Sequence, residues 1–263
     1  MEEKFACTHA RNAKFGDECI KEAKAWALAL NVPYIERTHK ENLDEMLAKN
    51  NLDALIIFKN EGPSIYSRAG SFTYHQSMAC LRLLNIEAGR GDHLLTALDL
   101  KEGTKVLDGT LGLATDASIA SLIVGKSGLV VGTEASKLIH FCVSHGLKNY
   151  ETDSPLLTEA MRRIKTYNLT AYDYLKTCKD GDFDVIYFDP MFQHPVKGSV
   201  AMDALRPLSY AKALDEATIN LALEIAPRVV IKERAEYILR DLGCTEFVGG
   251  KYSRVKFGIR RRK

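Results

Sequence analysis

Residues 106–117, VLDGTLGLATDA, constrain this chain more than any other stretch. Val106 and Leu107 end a short apolar run, and Gly109, Thr110, Gly112 and Ala114 then keep side-chain bulk low ahead of the first turn of a helix. A buried strand, a tight small-residue turn and a helix in that order place helix N–H groups and one acid, Asp108, at the mouth of a parallel sheet. A ligand can approach the backbone there, so the stretch predicts a nucleotide-like pocket.

The rhythm after this turn agrees with such a sheet. Apolar runs predict strands at Lys105 to Asp108, Leu129 to Thr133, Thr166 to Leu169, Val185 to Phe188 and Val229 to Lys232, with helices between them. Glu246 to Gly249 and Val255 to Ile259 flank a Gly-Lys-Tyr-Ser turn and read as an antiparallel hairpin on the sheet edge. The expected fold class is therefore α/β: a doubly wound, mostly parallel seven-stranded sheet, Rossmann-like, over residues 76–263.

Residues 1–75 read as a separate small α/β domain. Strands are expected at Phe5 to Thr8, Val32 to Arg37, Asp53 to Phe58 and Ser64 to Ser67, with helices at Glu18 to Leu30 and Asn42 to Asn50. No catalytic constellation stands out in it. His9, Arg11 and Lys14 can touch phosphate, but polar loop residues at this density are ordinarily just solvated.

Composition excludes several classes. A chain of 263 residues, 46% hydrophobic and 27% charged, has the makings of a real core and is neither disordered nor fibrous. It has no run of eighteen apolar residues, and its opening MEEKFACTHA is acidic and polar, so a membrane partner is not expected and a cytoplasmic location is. Six cysteines occur without a CxxC pair, which points to structural thiols and no metal site. Net charge is only +2, yet residues 251–263 carry seven basic residues and no acid. Such an end suits a phosphate backbone, or serves as a solvated tail.

The connection at 68–93 is richer than a linker needs to be. Phe72, Tyr74, His75 and Arg82 lie close together ahead of Gly89, Arg90 and Gly91, and aromatics interleaved with arginine suit base stacking and phosphate contact. Met78, Leu81 and Leu84 recur at helical spacing, which reads as packed core. Asp92 is placed to cap a helix from His93 to Leu98.

The small positions in the central turn differ from a dinucleotide fingerprint. In G-x-G-x-x-G a pyrophosphate rests on the helix N-terminus, whereas here Asp116 stands in the helix start and repels a diphosphate. S-adenosylmethionine (SAM) has no phosphate and carries a sulfonium and an amino group. Asp108 and Asp116, with Gly109, Thr110 and Gly112 lining the turn, are candidates for that cationic end. Glu134, closing the next strand in LVVGTEAS, can accept both ribose hydroxyls. Thr170 or Asn168 can meet the adenine amine, and either can equally be a loop cap.

DVIYFDPMF carries the most specific chemistry. An exocyclic nucleobase amine is a poor nucleophile because its lone pair is delocalised into the ring. Asp189 and the Pro190 carbonyl can accept its N–H hydrogens, orient the lone pair and stabilise the positive charge that develops on nitrogen. Phe192 offers a face for an extruded base.

A parallel sheet finished by a hairpin is similar to the layout of class I SAM-dependent methyltransferases. VLDGTLGLATDA, GTEAS, YFDPMFQHPVKGS, RVVIKERA and YHQSMACLRLLNIEAGRGD together resemble the RsmJ-type small-subunit (16S) rRNA guanine-N2 methyltransferases, from about Phe72 to about Ala235. The resemblance implies SAM as cofactor and RNA, small-subunit rRNA or its ribosomal particle, as partner. It places Asp108, Gly112, Asp116 and Glu134 at cofactor positions and Asp189, Pro190 and Phe192 in the catalytic loop. Met191 fits the family's DPMF. His75, Gly89, Arg90 and Gly91 match the stretch before the domain, so that Arg90 falls to the cofactor and His75 to the substrate. His194, Lys197 and Arg206 lie where a target-facing loop is expected. Ala114 stands where the first motif usually has glycine, which is tolerable if the backbone there is helical. The first 70 residues and the basic C-terminus, outside the match, are where RNA would be chosen. Other amine or amide substrates (tRNA, DNA or protein), a non-catalytic RNA-binding assembly factor, and a NAD-dependent oxidoreductase are the alternatives that the residues leave open.

Overall fold

The computed structural model describes residues 4–11, 16–38, 40–190, 205, 208, 213–250 and 253–262. They divide between two units, one built on the chain up to His75 with Ser136–Cys142, the other on Gln76–Ala135 and most of the chain from Val143 onward. Among the described residues, no helix is long and apolar enough to cross a membrane.

In the first unit β1 (Phe5–His9) pairs in parallel with β2 (Ala54–Lys59), which continues antiparallel to β3 (Gly62–Ser67) and β4 (Gly70–Thr73). Helix α1 (Gly16–Leu30) buries Cys19, Ala23 and Ala27, a four-residue spacing of small side chains that lets it approach the sheet closely. Helix α2 (Leu43–Lys49) starts from a capping box in which Asn42 and Glu45 each bond the other's backbone N–H. Met46 and Leu47 then join Ala6, Leu55 and Ile57 in the core.

The strand expected at Val32 to Arg37 is reduced to a single parallel bridge, Tyr34 to Cys7. Cys7 N–H donates to the Pro33 carbonyl and Ile35 N–H to the Cys7 carbonyl, both at 2.9 Å. Pro33 has no N–H to extend the ladder toward Val32; nothing in the structure explains why it stops short of Arg37.

The second unit contains α3 (Ser77–Glu87), α4 (His93–Leu98), β5 (Lys105–Asp108), α5 (Thr115–Val124), β6 (Leu129–Thr133) and most of α6 (Lys137–Asn149). After these come α7 (Pro155–Arg162), β7 (Lys165–Tyr167), α8 (Ala171–Leu175), β8 (Val185–Phe188), α9 (Glu216–Ile225), β9 (Arg228–Glu233), α10 (Glu236–Asp241), β10 (Glu246–Val248) and β11 (Lys256–Arg261). The sheet has seven strands in the order β10-β11-β9-β8-β5-β6-β7, parallel except where β11 pairs with β9 and β10. The strands read as continuous apolar runs because both faces are covered. Leu107, Val131, Ile186, Phe188, Val229 and Ile231 share one core with Ile219 and Ala222 of α9. From β5 the chain first builds outward through β6 and β7, then returns to β5's other side with β8. That reversal makes the carboxyl ends of β5 and β8 the switch point of the sheet, where such folds bind ligands.

Helix α3 forms as expected, but with the opposite face inward. Ala79 and Leu83 are buried, while Met78, Leu81 and Leu84 are 58%, 51% and 63% exposed. Two apolar sets share the helix, and the one containing the small Ala79 is the one that seats against α5. The basic C-terminal end is not a free tail either. Arg261 grips Glu246 with two hydrogen bonds of 2.6 and 3.1 Å, Arg260 donates to Asn220, and Arg262 pairs with Asp180.

Candidate active site

The turn after β5 is shaped by its neighbours before any ligand is considered. Gly109 donates its N–H to the Tyr187 carbonyl at 2.8 Å, and a Cβ there would lie 2.4 Å from the Phe188 ring. Glycine at 109 thus answers to Phe188 packing. Leu111 donates to the Thr133 carbonyl and its side chain covers Gly132, where a Cβ would come within 2.4 Å of it. Gly112 has φ +48°, a conformation natural to glycine. Ala114, the residue before α5, is left-handed at φ 60°, ψ 21° rather than helical as the sequence required for its tolerance. A methyl-bearing residue pays about 1–2 kcal/mol for that conformation.

Around this turn three aspartates from three elements meet one lysine. Asp189, directly after β8, holds the Lys232 ammonium of β9 at 2.7 Å, and the same ammonium lies 3.3 Å from Asp116 of α5. Asp116 also accepts the Tyr187 hydroxyl at 2.7 Å and Arg82 Nη1 at 2.5 Å. Arg82 in turn clasps Asp92 with two hydrogen bonds of 2.9 and 3.0 Å, and Asp92 caps α4 through the Leu95 N–H. Asp108, 2% exposed, accepts the Thr110 N–H at 3.0 Å, while Thr110 Oγ1 accepts the Asp189 N–H at 2.5 Å. The turn and the Asp189 segment are therefore locked to each other.

Charge is unequally distributed over these acids. Burial pushes the Asp108 carboxyl up to about 8, with the Asp116 charge adding and the Thr110 N–H opposing. Burial acts the same way on Asp116, but Lys232 and Arg82 outweigh it and hold that carboxyl below the ordinary range. Asp189 lies between the two, raised by burial and by Asp116 to about 6 although Lys232 opposes the rise. Lys232 is half-buried, which works against its charge, yet Asp116 and Asp189 drive its ammonium above its usual value. Near neutral pH the cluster holds an ionised Asp116 and Asp189, a largely protonated Asp108, and a permanent Lys232 cation.

Most residues singled out in the sequence converge here: Asp108, Gly109, Thr110, Gly112, Asp116 and Asp189, with Pro190 half-buried next to Asp189. Glu134 closes on the turn by accepting the Gly112 N–H at 3.2 Å. Asp116, expected to face a cationic ligand, has its carboxylate taken by protein donors instead. Thr170 is a helix cap: its hydroxyl accepts the Asp173 N–H and donates to the Asp173 carboxylate. Asn168 likewise donates to the Glu134 carbonyl. Arg90 folds back onto Asn85 at 2.8 Å at the end of α3. His75 is exposed and belongs to the first unit, with its ring 6.4 Å from that of Phe72. Phe72 and Tyr74 are buried, so neither presents a face for base stacking. Met191, Phe192, His194, Lys197 and Arg206 lie outside the described residues.

Three members escaped the sequence reading. Arg82 was read as a phosphate contact and is an internal clasp; Tyr187 and Lys232 were read only as strand. Lys232 did leave a signal, a cation directly after the apolar run VVI in a strand, because an ammonium drawn into a core needs carboxylates to face. The residue set fits SAM: acids and one glycine-bearing turn, and among the described residues the cations beside it, Lys232 and Arg82, are paired with aspartates.

A family model described as "Putative SAM-dependent methyltransferase" matches residues 68–255. A Bacillus subtilis protein known as uncharacterized protein YpiP is 38% identical over 82% of this chain and 83% of its own. Ribosomal RNA small subunit methyltransferase J of Shewanella piezotolerans is 25% identical over 73% of this chain and 71% of its own length. Its counterpart from Photobacterium profundum is 28% identical over 57% and 60%. The crystal structure of a SAM-dependent methyltransferase from Neisseria gonorrhoeae superposes with a TM-score of 0.62 at 14% identity, covering 98% of this chain and 96% of that one, and so shares the fold.

Proposed function

The chain belongs to the SAM-dependent methyltransferase family, and we propose that it methylates the exocyclic N2 amine of a guanosine in small-subunit ribosomal RNA. One observation carries the reading: Asp189 stands at the switch point with its carboxylate steadied by Lys232 and its backbone tied to the turn by Thr110. The methyltransferase J relatives support the choice of RNA and of the ribosome.

SAM supplies an electrophilic methyl group on a cationic, phosphate-free carrier. Glu134, which accepts the Gly112 N–H, would hold the ribose hydroxyls, and Asp108 with the Gly109–Gly112 turn would hold the polar end. Asp116 acts one step back, neutralising Lys232 and Arg82 so that neither cation repels the sulfonium. Asp189 and the Pro190 carbonyl would accept the amine hydrogens, and Asp189 would stabilise the positive charge on nitrogen and take the proton that the amine gives up when it gains the methyl and the cofactor leaves as a neutral thioether. Lys232 keeps Asp189 ionised in a buried setting and fixes which oxygen remains for the amine. Phe192 stacks the base, as the family resemblance implies. The first unit selects the RNA.

Nucleoside mass spectrometry of rRNA and tRNA from a deletion strain tests this function. Loss of one N2-methylguanosine from small-subunit rRNA is expected; loss of a different methyl mark would reassign the substrate.

A further inference from the structure

The first unit holds a charge imbalance of the opposite sign. Arg11 lies two residues beyond the end of β1. Because Tyr34 bridges Cys7 in parallel, the 34–37 segment runs alongside β1 and brings Arg37 to the same end. Arg11 Nε and Nη2 and Arg37 Nε are shielded from water with no acceptor. Among the described residues, neither guanidinium forms an ion pair. Burial holds the Arg37 guanidinium below its ordinary value, and the Arg11 charge pushes it the same way. Three further groups share the neighbourhood. Tyr34 hydroxyl and His9 Nδ1 are 2.9 Å apart, with their rings stacked at 6.1 Å, and the Lys24 ammonium sits 5.2 Å from the Tyr34 ring centre. Burial lowers the His9 imidazole; of the charges that face it, Glu36 opposes the shift while Arg37 and Lys24 add to it.

Buried polar groups in folded proteins find partners, and charged ones most of all. Forked guanidinium donors without a carboxylate match the several acceptor oxygens of a phosphate. We propose that Arg11 and Arg37 form a phosphate-binding site at the carboxyl end of β1, and that its ligand is a phosphodiester of the RNA substrate. The site stands on the first unit alone; only the source of the phosphate rests on the RNA reading above. Lys14, the third cation noted in the sequence there, lies outside the described residues.

The test uses the full chain with Arg11→Gln, Arg37→Gln and the double variant, and SAM affinity as the control for folding. A short single-stranded RNA is titrated by fluorescence anisotropy across a range of KCl, and inorganic phosphate and guanosine monophosphate by thermal shift. Each substitution is expected to weaken RNA binding about tenfold and to lower the slope of log affinity against log salt by about 0.7. Phosphate should raise the melting temperature of the wild type and not of the double variant. If the double variant loses SAM affinity, Arg11→Lys and Arg37→Lys decide, since they keep the charge and the salt slope but lose the fork and with it affinity. Unchanged RNA and phosphate binding in variants that retain SAM affinity overturns the site. Loss of phosphate binding with RNA binding intact overturns RNA as the source. A wild type that binds phosphate but no RNA leaves the site standing and removes the RNA reading of the function.

Discussion

The two units each end a parallel strand pair in unbalanced charge, but with opposite signs and opposite degrees of compensation. At the mouth of β5 and β8, Asp108, Asp116 and Asp189 gather about Lys232, and each carboxylate accepts at least one hydrogen bond. At the end of β1, Arg11 and Arg37 have donors with none. The contrast teaches how a scaffold declares its ligand. An acid cluster balanced by internal cations sets the ionisation state of each acid and leaves a mild negative surplus for a cationic, phosphate-free group. An uncompensated pair of guanidiniums leaves a place for an anion brought from outside.

The comparison can be broken most decisively at Asp189. Asp189→Ala is expected to reduce turnover about a thousandfold while SAM affinity stays within a few-fold of wild type, measured by single-turnover kinetics and calorimetry. Unimpaired transfer would remove Asp189 from the chemistry. Next in size is Lys232→Met, expected to cost about ten- to a hundredfold in kcat. Lys232 opposes the upward shift of Asp189, so its loss moves that carboxyl above about 6 and carries the acid limb of the kcat profile to higher pH. A lysine with a merely structural role would lower activity without moving the limb.

Asp108 supplies a smaller and more specific effect. A cationic ligand favours its ionised form, so SAM binding releases a proton from a carboxyl near 8 and affinity rises as pH increases towards that value. Calorimetry in buffers of different ionisation enthalpy detects the proton, and Asp108→Asn should flatten the dependence. Smallest is Ala114→Gly. Relief of the left-handed alanine, at φ 60°, is partly offset by the greater freedom of glycine in the unfolded chain. The net gain is about 0.5 kcal/mol, read as a rise of about 1–2 °C in melting temperature.

Much of the fold could be read from local pattern. The β5, β6 and β8 strands carry continuous apolar runs between polar breaks, and they form over the residues expected of them. Misreadings have specific causes. Pro33 blocks the expected 32–37 strand on its N-terminal side, and on α3 two apolar sets at helical spacing competed for one inward face. At the site, Asp108, Glu134 and Asp189 were legible because they end strands of a parallel sheet, where acids have little structural reason to be. Arg82 was misread because a charged side chain in sequence carries no record of what it faces.

The amino-acid order alone determined the strand-turn-helix of residues 106–117, the alternation around it, and the resemblance carried by the DPMF segment. These depend on period, side-chain size and neighbours a few positions apart. Tertiary structure alone decided that Lys232 and Arg82 neutralise Asp116, that glycine at 109 serves Phe188, that Ala114 is left-handed, and that Arg11 and Arg37 are left without acceptors. Ionic partners separated by as many residues as Arg82 and Asp116, or Asp116 and Lys232, are chosen by which strand lies beside which, and no local pattern encodes that pairing.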